Sequence, residues 1–142
     1  MKVIACIDNN MGIAFNNRRL GSDSTVIDRM HYIVGNDRLL AKDISLKILA
    51  DANLDIHNVD NAEIRDNDWV FIDTEQYSFI KEDCSNIDTL VLFLWNRDYP
   101  SDTKLTLDLS KMNQYSQLEY KGNSHDKITE LHFSRKENIE NE

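Results

Sequence analysis

The chain has 142 residues, a length for one domain whose core hides about 70% of the unfolded surface. Hydrophobic residues at 41% and charged residues at 29% are ordinary for a globular chain, but 25 Asp and Glu against 16 Lys and Arg give a net charge of −9. That balance argues against nucleic acid and anionic membrane as partners, because the densest basic stretch, Asn17-Arg18-Arg19, offers only two cations.

Lys2 to Asp8 is an apolar, β-branched run that predicts a buried strand, ended by the turn residues Asn9-Asn10-Met11-Gly12. It meets an acid too soon for a signal peptide, and the longest apolar run, Leu90 to Trp95, is far below the roughly 20 residues of a spanning helix. A cytoplasmic protein with reduced thiols is expected, Cys6 packing in its strand and Cys84 exposed between Asp83 and Ser85. A polar loop is expected through Asn16-Asn17-Arg18-Arg19. Ser22-Asp23-Ser24-Thr25 supplies N-cap residues for a helix whose apolar face is Val26, Ile27, Met30, Ile33 and Val34, stopped by Gly35-Asn36.

Arg38 to Ala41 predicts a short strand, and Asp43 caps a second helix carrying Ile44, Ile48 and Leu49. Residues 51–68 are weakly patterned, with a short strand near Ile56 to Val59. Trp69 to Ile72 is a strong strand signal, and Tyr77 to Lys81 reads as a short helix. Thr89 to Trp95 is apolar without a break, as a central strand covered on both faces should be. Asp102 to Leu109 alternates, and Tyr115–Lys121 and Lys127–Arg135 flank Gly122-Asn123 as a hairpin. Together these elements predict one α/β domain over residues 1–135. It has a mixed, mainly parallel central sheet with flanking helices and an antiparallel C-terminal hairpin, followed by a polar tail, 136–142.

Motifs with definite chemistry are few. No P-loop, Gly-x-Gly-x-x-Gly or Gly-x-Ser-x-Gly occurs, and the whole chain has four glycines. No metal is expected. His125-Asp126 is the one adjacent ligand pair and reads better as a hairpin turn, His132 reads as a strand-surface residue, and the Asp55–Asp60 and Asp66–Asp68 stretches do not fit a calcium loop. Asp23 carries two readings, a helix N-cap and an acid that anchors or protonates a ligand. Trp95-Asn96-Arg97-Asp98-Tyr99 is either a recognition surface past the central strand or an anchored strand end.

Three stretches together resemble dihydrofolate reductase: Ile4 to Ile13; Val70-Phe71-Ile72-Asp73-Thr74-Glu75 with Ile87 to Phe93; and Tyr99 to Thr103 with Leu118-Glu119-Tyr120 and Asn123-Ser124-His125. The resemblance implies that family's fold, a pterin-side acid at Asp23, and a cleft whose ligand-binding candidates are Cys6, Asp23, Ile27 and Phe93. On the cofactor side it puts Ala41-Lys42-Asp43-Ile44 at the family's Gly-Arg-x-Thr turn, leaving Lys42 as the candidate for an NADP phosphate. It puts Asp66-Asn67-Asp68 at the family's Gly-Gly pair, where carboxylates would repel a pyrophosphate. The strand threonine of the pterin site falls near Phe93, and the loop before Asp23 reads Arg19-Leu20-Gly21-Ser22 in place of a Pro-Trp pair. The expectation is a degenerate dihydrofolate reductase-like protein that binds a small ligand or a protein partner without NADPH-dependent reduction. The alternative is a divergent oxidoreductase on a pterin-like substrate. The chain is also similar to a small group of bacterial proteins that go under the label ribonuclease Z. Its histidines His31, His57, His125 and His132 form no His-x-His-x-Asp-His motif, so a nuclease is disfavoured.

Overall fold

The computed structural model describes residues 1–42, 45, 49 and 52–136. The apolar runs become strands of one seven-stranded sheet: β1 (Lys2–Ile7), β4 (Arg38–Ala41), β5 (Asp55–Asn58), β6 (Trp69–Ile72), β7 (Thr89–Leu94), β9 (Met112–Tyr120) and β10 (Ile128–Arg135). Their spatial order is β5-β4-β6-β1-β7-β10-β9. The five strands from β5 to β7 run parallel, and β10 and β9 continue the sheet antiparallel. This is the mixed, mainly parallel sheet with a terminal hairpin that the pattern predicts.

β1 and β7 lie side by side in the middle, with Ile4, Val91 and Phe93 on one face and Val3, Leu90 and Leu92 on the other, all fully buried. An unbroken apolar run is what such a strand needs, because both faces meet core. On the first face lies α1 (Ser24–Val34), burying Val26, Met30 and Val34. Each such side chain contributes about 1.5–3 kcal/mol. Asp23 is the N-cap, and Gly35 ends the helix at φ +60°, a conformation that favours glycine. In the second predicted helix, Ser45 and Leu49 are helical and buried; Asp43, Ile44 and Ile48 lie outside the described residues, as do 137–142.

The opposite face departs from expectation. Tyr77–Lys81 is not a helix. Tyr77, Ile80, Cys84 and Ile87 are buried at helix-like spacing, but the backbone runs as separate turns, closed by Ile80 N–H to Tyr77 O, Cys84 N–H to Lys81 O and Ile87 N–H to Cys84 O. Cys84 sits at φ +61°, and the Asp83 side chain takes the Ser85 N–H. Such local side-chain bonds compete with helix. Cys84 is therefore buried rather than exposed, its Sγ directed at the carbonyl of Asp108. Burial first, then Asp108 and Asp83, raises its pKa.

Asp102 to Leu109 does alternate in burial, but only Thr103–Lys104 forms a strand, β8. The backbone of Leu105 bonds to Met11 O, that of Thr106 to the Gln76 side chain and that of Asp108 to Glu82 O, so no ladder continues. The expected loop at Asn16-Asn17 is instead a tight hairpin. β2 (Gly12–Phe15) pairs with β3 (Arg18–Arg19) around two asparagines at φ +51° and +61°, the signature of a two-residue type I′ turn. With β8 these strands form a small separate sheet, β3-β2-β8. Among the described residues no helix is long and apolar enough to cross a membrane.

Candidate functional site

In open α/β sheets, ligands bind beyond the carboxyl ends of the parallel strands. Here that edge is built from Cys6 and Ile7 of β1, Asp73 after β6, Trp95 after β7 and Lys42 after β4. Asp8 ties its loops together. One carboxylate oxygen accepts Asn10 N–H at 2.9 Å and Gly12 N–H at 2.7 Å, and the other accepts Tyr99 N–H at 3.1 Å.

Asp23 lies at the same edge, buried at 2% exposure. Its Oδ1 accepts the N–H groups of Thr25 and Asn123, each at 2.9 Å. Its Oδ2 accepts Ser124 N–H at 2.8 Å and faces His125 Nδ1 at 3.0 Å. The Ser124 hydroxyl lies between Ser22 O at 2.7 Å and Asp23 Oδ2 at 3.1 Å. Three backbone N–H groups and the His125 Nδ1 position therefore meet a carboxylate that has about four acceptor positions. Burial opposes the charge, but the bonds from Ser124, Asn123, His125 and Thr25 prevail and hold the acid well below the usual carboxylate range. His125, which sequence places in a hairpin turn, is 4% exposed. Its Nε2 is 2.8 Å from the Tyr99 hydroxyl, and its ring stacks on Trp95 at 4.4 Å between centroids. Gly122 allows this closure: a Cβ there would lie 2.6 Å from Ile128 Cδ1 and press on the Asp23 carboxylate.

The cleft proper lies between this latch and β6. Two adjoining hollows share Cys6, Arg19, Gly21, Phe71 and Trp95 in their walls. One reaches Ile13, Leu20, Ile72 and Asp73; the other reaches Ser22, Asp23, Val26, Ile27 and Met30. Each has a free volume of about 20 Å³, room for about one water. The structure thus brings Cys6, Asp23 and Ile27 together. Phe93 is fully buried beneath them and lines neither hollow.

Arg19, in the wall of both hollows, belongs to an ion pair. Arg19 grips Asp73 with two donors, Nε to Oδ1 at 3.0 Å and Nη2 to Oδ2, and the Ser45 hydroxyl also donates to Oδ2. The Asp73 side chain is 3% exposed and that of Arg19 is 23% exposed. Burial, and next the Asp73 charge, push the Cys6 thiol up, against a smaller opposing effect of Arg19, so it stays protonated at neutral pH.

Lys42 does not face this cleft. Its Nζ pairs with Asp60 at 3.0 Å and Glu75 at 3.2 Å and lies 5.9 Å from the Tyr77 ring centroid. Asp66-Asn67-Asp68 does not face this cleft either. These residues precede β6, at the amino edge of the sheet, and Asp68 is gripped by Arg38 through Nε at 2.9 Å and Nη2 at 2.7 Å. The acid at the carboxyl end of β6 is Asp73.

A further buried carboxylate escaped the sequence reading altogether. Glu130 on β10, fully buried, accepts both Arg29 donors at 2.8 and 2.7 Å and the Tyr120 hydroxyl at 2.9 Å, and lies 2.7 Å from His132 Nε2. Burial raises its pKa, but Arg29, His132 and Tyr120 outweigh this and hold it low. Past β7, Arg97 reaches the Ser124 carbonyl at 3.2 Å, and Trp95 is buried while forming a wall of both hollows. Among the described residues no group of three or more His, Cys, Asp or Glu side chains is arranged to hold a metal ion.

No protein-family model matches this chain, and no curated protein matches it. Among solved structures it is similar to dihydrofolate reductase from Enterococcus faecalis complexed with NADP(H) and RAB-propyl, with a TM-score of 0.64 over 96% of this chain and 97% of that chain at 10% sequence identity. The order of strands, the helix on the Asp23 side and the antiparallel ending are thus those of a dihydrofolate reductase-like fold.

Proposed function

We propose that this chain is a small-ligand-binding protein that uses the cleft at the carboxyl ends of β1, β6 and β7, and that it does not carry out NADPH-dependent reduction. The observation that carries this reading is a cleft reduced to two hollows of about 20 Å³ each, with Arg19 in the wall of both and its guanidinium held by Asp73. A dinucleotide needs an open groove with exposed donors for its phosphates. Here Lys42, which follows β4 at this edge, is already neutralised by Asp60 and Glu75, and the β6 end carries the acids Asp73 and Glu75.

The competing oxidoreductase reading needs a proton donor at Asp23. A carboxylate that accepts three backbone N–H groups, and whose pKa is held low, is a poor acid at neutral pH. Its role here is to join α1 to the last hairpin. The test is titration with NADPH, followed by Trp95 fluorescence at the cleft wall, together with a turnover assay on dihydrofolate. No saturable NADPH binding below millimolar and no turnover are expected. Micromolar binding with turnover would overturn the reading.

A further inference from the structure

We propose that Asp73, with Ser45, is the receptor for a flat amidinium or guanidinium group on a small aromatic ligand, and that the Arg19 side chain is the built-in occupant of that site. This rests on the reading of the cleft as a ligand site and assigns the chemistry it selects.

The pairing geometry is the first support. Asp73 presents both carboxylate oxygens to a planar fork of N–H donors, the two-point match that distinguishes guanidinium-type groups from a lysine ammonium. The Ser45 hydroxyl donates to Oδ2 from another side, fixing the carboxylate's orientation whatever fills the fork.

Position is the second. The receptor is almost wholly buried at the carboxyl edge of the main sheet, whereas the occupant is partly exposed and comes from the two-residue strand β3 of the small sheet. Arg19 can thus leave without disturbing the ladder of the main sheet. Departure of Arg19 alone leaves the Asp73 carboxylate buried and unpaired, so only a cation that takes its place in the same fork can displace it.

The third support is what surrounds the pair. Arg19 is a wall of both hollows together with Phe71 and Trp95, so its withdrawal enlarges the free space on both sides, beside Asp73 in one hollow and toward Met30 in the other. A ligand with an amidinium head and a flat aromatic body meets a carboxylate at one end and aromatic and aliphatic walls beyond it.

Benzamidine is the probe, benzoate its isosteric anion, and the readouts are Trp fluorescence titration and the thermal midpoint. Arg19→Ala removes the occupant, and benzamidine should bind this variant at least tenfold more tightly than it binds the wild type. If the variant is destabilised by the bared Asp73, benzamidine should restore its midpoint and benzoate should not, so a poorly folded variant is still informative. Adding Asp73→Asn to Arg19→Ala should abolish the gain. Equal binding of benzamidine by wild type and Arg19→Ala, with no rise in midpoint, would overturn the proposal. A gain that persists in Arg19→Ala/Asp73→Asn would also overturn it, while leaving the cleft a ligand site for apolar rings. Failure of the broader reading shows separately, as NADPH binding and turnover by the wild type.

Discussion

Replacing Asp23 with Ala removes one carboxylate and with it three kinds of contact. The N-cap bond to Thr25 N–H is lost, a change that costs about 1 kcal/mol in most helices. The N–H groups of Asn123 and Ser124 lose their acceptor. At a site where the neighbouring side chains are exposed, each costs about 1 kcal/mol, the low end for an unsatisfied donor. His125 loses the partner of Nδ1 while still held against Trp95 and Tyr99, about another 1 kcal/mol. The sum is about 3–4 kcal/mol, or roughly 10 °C in the unfolding midpoint for a domain of this size. Asp23→Asn keeps one acceptor and should cost about half as much. Urea unfolding followed by circular dichroism measures both. If Asp23→Ala loses less than about 1 kcal/mol, the carboxylate is not what joins α1 to the hairpin, and an acid held ready for chemistry becomes the better account of it.

Glu130→Gln should cost about 2–4 kcal/mol, since it bares Arg29 against a buried site, whereas Asp37→Ala, which removes a surface pair with Lys2, should cost under about 1 kcal/mol; urea unfolding compares the two. Asp23, Asp68 and Glu130 all have folded pKa values below their unfolded ones of about 4. Their stabilisation is therefore complete above about pH 5 and is lost as pH falls through 4 and below. The urea midpoint should be flat from about pH 7 to 5 and then drop, and less steeply in Asp68→Asn. Gly122→Ala should destabilise by about 1–3 kcal/mol through the clash with Asp23 and Ile128, and Gly35→Ala by about 1 kcal/mol through its positive φ alone, there being open space around it; thermal scans separate them. Cys84, buried and with its thiol raised by burial, should react with a thiol reagent at pH 8 only after denaturant is added.

The strands were legible because burial on two faces leaves an unbroken apolar run, as in Thr89 to Trp95, and the N-cap and the Gly35 stop because helix ends need particular residues. The turns over residues 73–88 were not. Tyr77, Ile80, Cys84 and Ile87 have helical spacing, and only the positive φ at Cys84 and the Asp83 bond to Ser85 decide against a helix. The site is harder still. The partners of Asp23 lie 100–102 residues away, and nothing in local pattern says which acid Arg19 will take. Asn123-Ser124-His125 was visible as part of a family-like ending, but its buried histidine was not. Asp66-Asn67-Asp68 and Asp73-Thr74-Glu75 flank the same four-residue strand, and only the direction of β6 in the sheet decides which of them meets the cleft.

The bond from Asp23 to residues 123–125 also bears on how the protein is made. A chain growing from its N-terminus completes β1, α1 and β4 long before the hairpin exists. Until residues near the end of the sheet emerge, the helix has its Thr25 bond but lacks the Asn123, Ser124 and His125 donors, and β7 lacks β10. The fold is therefore closed by its last segment: nascent chains cut before about residue 122 should expose the β7 edge and depend on chaperones, and release of the C-terminal hairpin should be the step that commits the whole domain.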